Sequence, residues 1–293
     1  MYIIQSDRLR IEVAAPEESP NNTYRFDRAG FITEVVLDGK HRFCASEPNN
    51  LSHPCSGGRG ICNEFIFPAA DDANPGEYFL KPGVGLLLKE KDEPYHFFNK
   101  YQMKPFHITV EQQSDNTIIF VTEPQICMGY ALRQRKVVSV KENKLSMHLH
   151  LENTGKHSFK AEEYCHNFLT INSMGLGPDY TLHIPSLTDR GTELLMGNLT
   201  GNGQGFSFTE YSSKPVFYPI ETEQFTSDDI FRWSMGNTSE NAYIHAEENI
   251  RLSRAALWAV DHMISLESFH DISLQPDESD SWDREWIFSS LEK

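Results

Sequence analysis

The sequence is short of helical periodicity, of positive charge and of long apolar runs, and each shortage excludes something. Across its 293 residues, apolar spacing of i, i+3, i+4, i+7 through three turns is nearly absent, which argues against helical or alternating strand–helix folds. The best helical candidate, residues 250–260, reads equally well as a strand. Only 26 lysines and arginines stand against 42 aspartates and glutamates, a formal net charge of −16. A field of that sign repels phosphate backbones and anionic lipid, so neither nucleic acid nor a membrane surface is expected as a partner. No apolar stretch approaches the roughly 20 residues of a membrane-spanning helix. The opening residues, Met1 to Arg8, lack the basic and then apolar pattern of a secretion signal. Cysteine is sparse and odd in number, five residues without a Cys-x-x-Cys spacing. Reduced thiols in a cytoplasmic protein are the simplest reading, although Cys55 and Cys62 could pair under oxidising conditions.

What the sequence does have is aromatic residues and alternation. The 19 Phe, 11 Tyr and 4 Trp suit a packed β core or a surface that stacks sugar rings. Leu9, Ile11 and Val13 alternate with Arg10 and Glu12, and Leu145, Met147, Leu149 and Leu151 alternate with Ser146, His148, His150 and Glu152. Such period-two runs send one set of side chains inward. Turn signals separate them, among them Asp38-Gly39, Asn153-Thr154-Gly155 and Gly236-Asn237. The expected fold class is an all-β sandwich with few or no long helices, formed as a single domain over 1–293. The segments 49–85 and 173–214, rich in Gly, Pro, Asn and Ser, read as long loops, the first a functional one carrying Arg59, Glu64 and Lys81.

Four constellations could carry chemistry. On strand geometry His166 shares a face with Tyr164 and Phe168, and histidine exchanges protons near neutrality; a core histidine held by a hydrogen bond is the plainer reading. Glu267, set between Leu266 and Phe269, is expected to be partly desolvated, a setting that suits a general base; an outward-facing strand residue is the alternative. Ser56-Gly57-Gly58-Arg59-Gly60 offers a close backbone path beside a ligand and an arginine fork, or else a plain turn. His148 and His150 share one strand face, but no third metal ligand accompanies them, so no metal site is assigned.

Together these pieces resemble the aldose 1-epimerase, or galactose mutarotase-like, superfamily. The residues Tyr24 to Val35 with Asp38-Gly39 look like its N-terminal strand pair. Asn153-Thr154-Gly155 followed by His166-Asn167-Phe168 is similar to its "N-T-G … H-x-Y-F" stretch. Leu266-Glu267 with Leu274-x-Pro276-x-Glu278 resembles its C-terminal "E … L-x-P-G-E" signature, and Gly76 to Gly85 looks like a stretch of bacterial members. The resemblance implies a β-supersandwich holding a sugar, with His166 as general acid on the ring oxygen and Glu267 as general base on the anomeric hydroxyl, opposed across one sugar and needing no cofactor. Arg59 is a looser match to the family's substrate-binding arginine, and Arg232 is another candidate donor. The family's second histidine motif is absent, His96 and His107 lying in that region without its context, which leaves the sugar open. A non-catalytic sugar-binding protein on the same fold, and a lyase-like enzyme using a tyrosine, are the competing functions. The sequence assigns no oligomeric state.

Overall fold

The computed structural model describes residues 1–18, 24–48, 58–226 and 230–291. Two antiparallel sheets carry most of the chain. The first contains, in spatial order, Tyr2–Gln5, Leu9–Val13, Ile32–Leu37, Gly60–Ile66, Phe159–Phe168, Met263–Leu274, Leu252–Val260 and Val216–Ile220, with the short His41–Arg42 attached to Ile32–Leu37. The second runs Leu194–Met196, Leu199–Gly201, Gly205–Phe208, Tyr180–His183, Phe231–Asn237, Ala242–Asn249, Ser279–Ser290, Lys144–Asn153, Leu132–Lys141, Thr117–Thr122 and Ile108–Ser114. A third, small sheet joins Tyr78–Lys81, Gly85–Leu88 and Met103–Pro105. Among the described residues, helix is confined to single turns such as Ala69–Asp72. No helix there is long and apolar enough to cross a membrane.

The strands follow the alternation in the sequence. Lys144–Asn153 buries every second residue, and the neighbouring Leu132–Lys141 does the same. The Asp38-Gly39 pair has positive φ at both positions (52° and 65°), inside a tight turn that the Lys40 N–H closes on the Leu37 carbonyl at 2.9 Å. The ambiguous 250–260 segment is the strand Leu252–Val260. Two expectations of long loops are corrected. Within 49–85, Gly60–Ile66 is an interior strand of the first sheet, its alternation hidden by Asn63 and Glu64. Within 173–214, four short strands extend the end of the second sheet.

The core between the sheets is aromatic and aliphatic, with Trp282, Trp286, Phe288, Phe43 and Phe65 fully buried. Phe43 packs on Phe288 at 4.8 Å between ring centroids and Phe65 on Trp282 at 6.5 Å. A seam of charge runs through the same core. Arg284 is completely buried and donates to Glu163 at 2.8 Å, to Ser268 Oγ at 2.7 Å and to Glu248. Glu248 also accepts the Trp233 indole N–H at 2.7 Å. Lys136, equally buried, donates to Asp27 (2.6 Å), the Ala29 carbonyl (2.7 Å) and Asn63 Oδ1 (2.7 Å). Asn63 in turn donates to Glu163. Each carboxylate therefore meets several donors, as burial of a charge demands.

The seam matters for the site because it fixes the strand Phe159–Phe168 from below. Its Glu163, Cys165 and Asn167 face the core, leaving Tyr164, His166 and Phe168 on the opposite face. Asn167 reinforces this by donating to the Leu266 carbonyl at 2.8 Å.

Candidate functional site

The outer face of the first sheet forms the floor of a cleft of about 390 Å³, lined by residues including Arg25, Tyr164, His166, Glu267, Trp258 and Phe269. The register explains how the central pair meets. Tyr164 stands opposite Phe269, and Leu169 opposite Ile264. Both pairs obey one antiparallel offset, so between them His166 stands opposite Glu267. Directly paired residues share a face with their Cβ atoms about 5 Å apart. Accordingly His166 Nε2 lies 2.9 Å from Glu267 Oε1, and both side chains are largely buried.

The other ring nitrogen is also engaged. Ser265, two residues before Glu267 and on the same strand face, places Oγ 2.8 Å from His166 Nδ1. That oxygen also accepts the Asn167 backbone N–H at 3.1 Å. The imidazole lies flat on Phe168 (3.8 Å between centroids, 9° between planes) with Phe26 edge-on at 5.8 Å. His166 is thus held at both nitrogens and on its faces. The sequence expectation opposed His166 and Glu267 across a sugar; in the structure the two side chains are in direct contact.

A cluster of charged side chains flanks this pair. Arg25 lies between the rings of Phe26 (4.7 Å) and Phe97 (4.1 Å). It donates to Glu64 and, at 3.0 Å, to the Tyr164 hydroxyl, which itself donates to Glu64. Lys81 completes the cluster 3.2 Å from Glu64 Oε1. Burial alone would push the Glu64 carboxyl up, but Arg25 and then Lys81 outweigh it and hold the group below the usual carboxylate range. Burial lowers the Lys81 ammonium, opposed by Glu64. Burial above all raises the Tyr164 hydroxyl well above its ordinary value.

The six residues singled out from sequence separate into groups. His166 and Glu267 come together in the cleft. Glu64 and Lys81 form a buried ion pair behind its wall, reaching the cavity through Arg25 and Tyr164. Arg59 donates to the Thr33 carbonyl at 3.1 Å and does not line the cleft. Arg232 belongs to the second sheet, where it pairs with Glu247 at 3.0 Å. The glycines beside Arg59 serve the protein's own packing: a Cβ on Gly58 would come within 2.0 Å of the Phe168 ring, and one on Gly60 (φ +63°) within 2.1 Å of the Ile32 carbonyl oxygen. Ser56, Gly57 and Cys55 lie outside the described residues. Cys62 is buried without a disulfide. His148 and His150 pair with Asp283 (2.7 Å) and Ser281 (2.8 Å).

Sequence reasoning passed over Arg25, Ser265 and the aromatic walls formed by Phe97, Phe98, Phe217, Trp258 and Phe269. The spacing of Ser265 to Glu267 was a usable signal, since i and i+2 share a strand face. Nothing local marked Arg25 or Phe97.

No protein-family model matches the sequence, and no similar curated protein is found. Solved structures do match over nearly the whole chain. The Slr1438 protein of Synechocystis sp. PCC 6803 aligns with a TM-score of 0.60 at 15% identity, covering 99% of this chain and 96% of that one. A galactose mutarotase related enzyme from Lactobacillus acidophilus aligns at 0.58 and 12% identity, covering 99% and 97%. A galactose mutarotase-like protein from Clostridium acetobutylicum aligns at 0.60 and 11% identity, covering 99% and 95%. The chain has the galactose mutarotase-like fold. The expectation of an all-β supersandwich holds, and the fold likeness extends through both sheets and the strands that carry His166 and Glu267.

Proposed function

We propose that the protein is an aldose 1-epimerase-like isomerase that interconverts the α and β anomers of a sugar. The observation that carries this reading is the His166–Glu267 contact on the cleft floor, 2.9 Å between Nε2 and Oε1. The contact sets two proton-exchanging side chains next to each other on the cleft floor. A sugar hemiacetal asks for both within one step.

When a sugar enters, its anomeric end replaces the direct contact. Glu267 takes the proton from the O1 hydroxyl. The O1 electrons form the carbonyl, the C1–O5 bond breaks, and O5 takes the proton from His166 Nε2. Rotation about C1–C2 presents the other face of the aldehyde. On closure O5 attacks C1, His166 recovers its proton from O5, and Glu267 returns its proton to O1. No atom or electron is gained, and no cofactor is called for. Ser265 Oγ, 2.8 Å from Nδ1, holds the ring so that Nε2 is the nitrogen that meets the sugar. Ser265 is a positioning residue. The contacts of Tyr164 with Glu64 and Arg25, and the raised value of its hydroxyl, weigh against the lyase-like reading in which a tyrosine transfers the proton.

The test is the relaxation of freshly dissolved α-D-glucose, α-D-galactose, L-rhamnose and hexose 6-phosphates, followed by polarimetry. Acceleration of any of them above the spontaneous rate by the wild type is the expected result. No acceleration across the panel would remove the epimerase reading for these sugars.

A further inference from the structure

We infer that the first sheet is held open at the His166–Glu267 pair, and that Asn167 is the positioning residue that holds it open. The inference deepens the epimerase reading and rests on it for what the two side chains do, though not for where they stand.

The pairing between Phe159–Phe168 and Met263–Leu274 is interrupted. Among the described residues it runs from Phe159 opposite Leu274 to Tyr164 opposite Phe269, stops, and resumes at the Leu169–Ile264 bridge. The offset is the same on both sides of the break, so no extra residue is inserted and the break is not a β-bulge. Each strand stays paired to its other neighbour through this stretch. Cys165 to Phe168 stand opposite Asn63 to Gly60, and Ser265 to Ser268 opposite Trp258 to Ala255.

Side chains take over the positions inside the break. Leu169 and Ile264 exchange two backbone bonds, at 3.0 and 2.9 Å. Bonded and non-bonded pairs alternate along an antiparallel ladder, so the bonded positions within the break are Asn167–Leu266 and Cys165–Ser268. His166–Glu267 is the non-bonded pair between them. In a continuous ladder the Leu266 carbonyl would accept the Asn167 backbone N–H; it accepts the Asn167 side-chain Nδ2 instead, at 2.8 Å. The same Nδ2 donates to the Cys165 carbonyl at 3.3 Å, while the Asn167 backbone N–H turns to Ser265 Oγ at 3.1 Å. The Ser268 carbonyl accepts from Arg284 at 3.2 Å. Asn167 is fully buried, where backbone groups need such partners.

Asn167 thereby reaches both members of the pair. The Leu266 carbonyl belongs to the peptide bond that leads into Glu267, and Ser265 Oγ is the atom 2.8 Å from His166 Nδ1. In a closed ladder a non-bonded pair stands with its Cα atoms about 4.5 Å apart and its side chains at their closest. With the ladder open on either side, His166 and Glu267 part to admit O1 and O5 without loss of a ladder bond.

The experiment compares the wild type with Asn167→Val, whose side chain suits a strand but donates nothing, and with Asn167→Ala. Thermal unfolding checks that each folds, crystal structures read the strand pairing, and NMR exchange on D-glucose and D-galactose reads kcat and KM. In Asn167→Val the backbone N–H at 167 is expected to return to the Leu266 carbonyl, leaving Ser265. kcat then falls roughly tenfold or more, with KM changed by less than about twofold. A lower thermal midpoint with kcat and pairing unchanged marks a packing role and overturns the inference. A closed ladder with kcat unchanged overturns it as well. If the wild type accelerates neither sugar, the epimerase reading fails for both and the crystal structures decide the inference. Closure of the ladder with the His166 ring displaced from Ser265 then upholds it, and an open ladder overturns it. Asn167→Ala carries the same comparison if Asn167→Val does not fold.

Discussion

His166 is held so completely that its surroundings make separable claims. Ser265→Ala removes the partner of Nδ1 without touching the cleft. On the proposed mechanism kcat falls about 10- to 100-fold with KM little changed, because a mispositioned acid weakens the transition state more than the bound sugar. Ser265→Thr, which keeps the hydroxyl, should restore much of the rate. A purely structural role would lower the thermal midpoint in Ser265→Ala without altering the pH profile of kcat. His166 and Glu267 were singled out by the family resemblance, since strand context alone favoured a core histidine and an outward-facing glutamate. Arg25 was not, since its role depends on Phe97, more than seventy positions away, folding over it. Arg59 and Arg232 illustrate the converse: an arginine in the right stretch of sequence carries no information about which way the fold turns it.

At the scale of the element, alternation read correctly wherever both faces were chemically distinct, as in Lys144–Asn153. It failed for Gly60–Ile66, where Asn63 and Glu64 are both buried and a polar pattern masks a two-sided interior strand. The strand Ser279–Ser290 hides the same kind of exception, because Arg284 points into the core. Replacing Arg284 with Ala strips Glu163 and Glu248 of a shared cation inside the protein. The expected loss is about 3–5 kcal/mol in urea unfolding, and a change under about 1 kcal/mol would contradict the seam as described. Gly60 makes a second claim on that element. With φ at +63° and the Ile32 carbonyl where a Cβ would go, Gly60→Ala should destabilise by more than about 1 kcal/mol, measured the same way.

The whole molecule combines a strongly negative sequence with positive groups gathered at the cleft wall and behind it. Glu64 joins Arg25 and Lys81 there, and its folded-state value lies below the ordinary 4.5. A carboxylate depressed by folding contributes stability that is fully present above its unfolded value and is lost as pH falls through its folded one. Glu64→Gln should therefore cost about 3–5 kcal/mol at pH 7, since two buried cations lose their counter-charge. The gap between variant and wild type should narrow as urea unfolding is repeated from pH 5 downward; a gap independent of pH would contradict the ion-pair assignment. The all-β class was legible at this scale because alternation and turns recur along the entire chain. The cleft was not, because it gathers residues from Arg25, Phe97, the Tyr164 strand, Phe217 and the Glu267 strand that only the sheet order brings together.

The central claim is that His166 and Glu267 act as one unit on the hemiacetal. The measurement is anomeric exchange by NMR, on the sugar the wild type accelerates most, for His166→Asn, Glu267→Gln and the double variant. If the pair acts in a single step, each single variant loses nearly all of the acceleration and the double variant loses little more. Retention of the wild-type rate by either single variant would contradict the account.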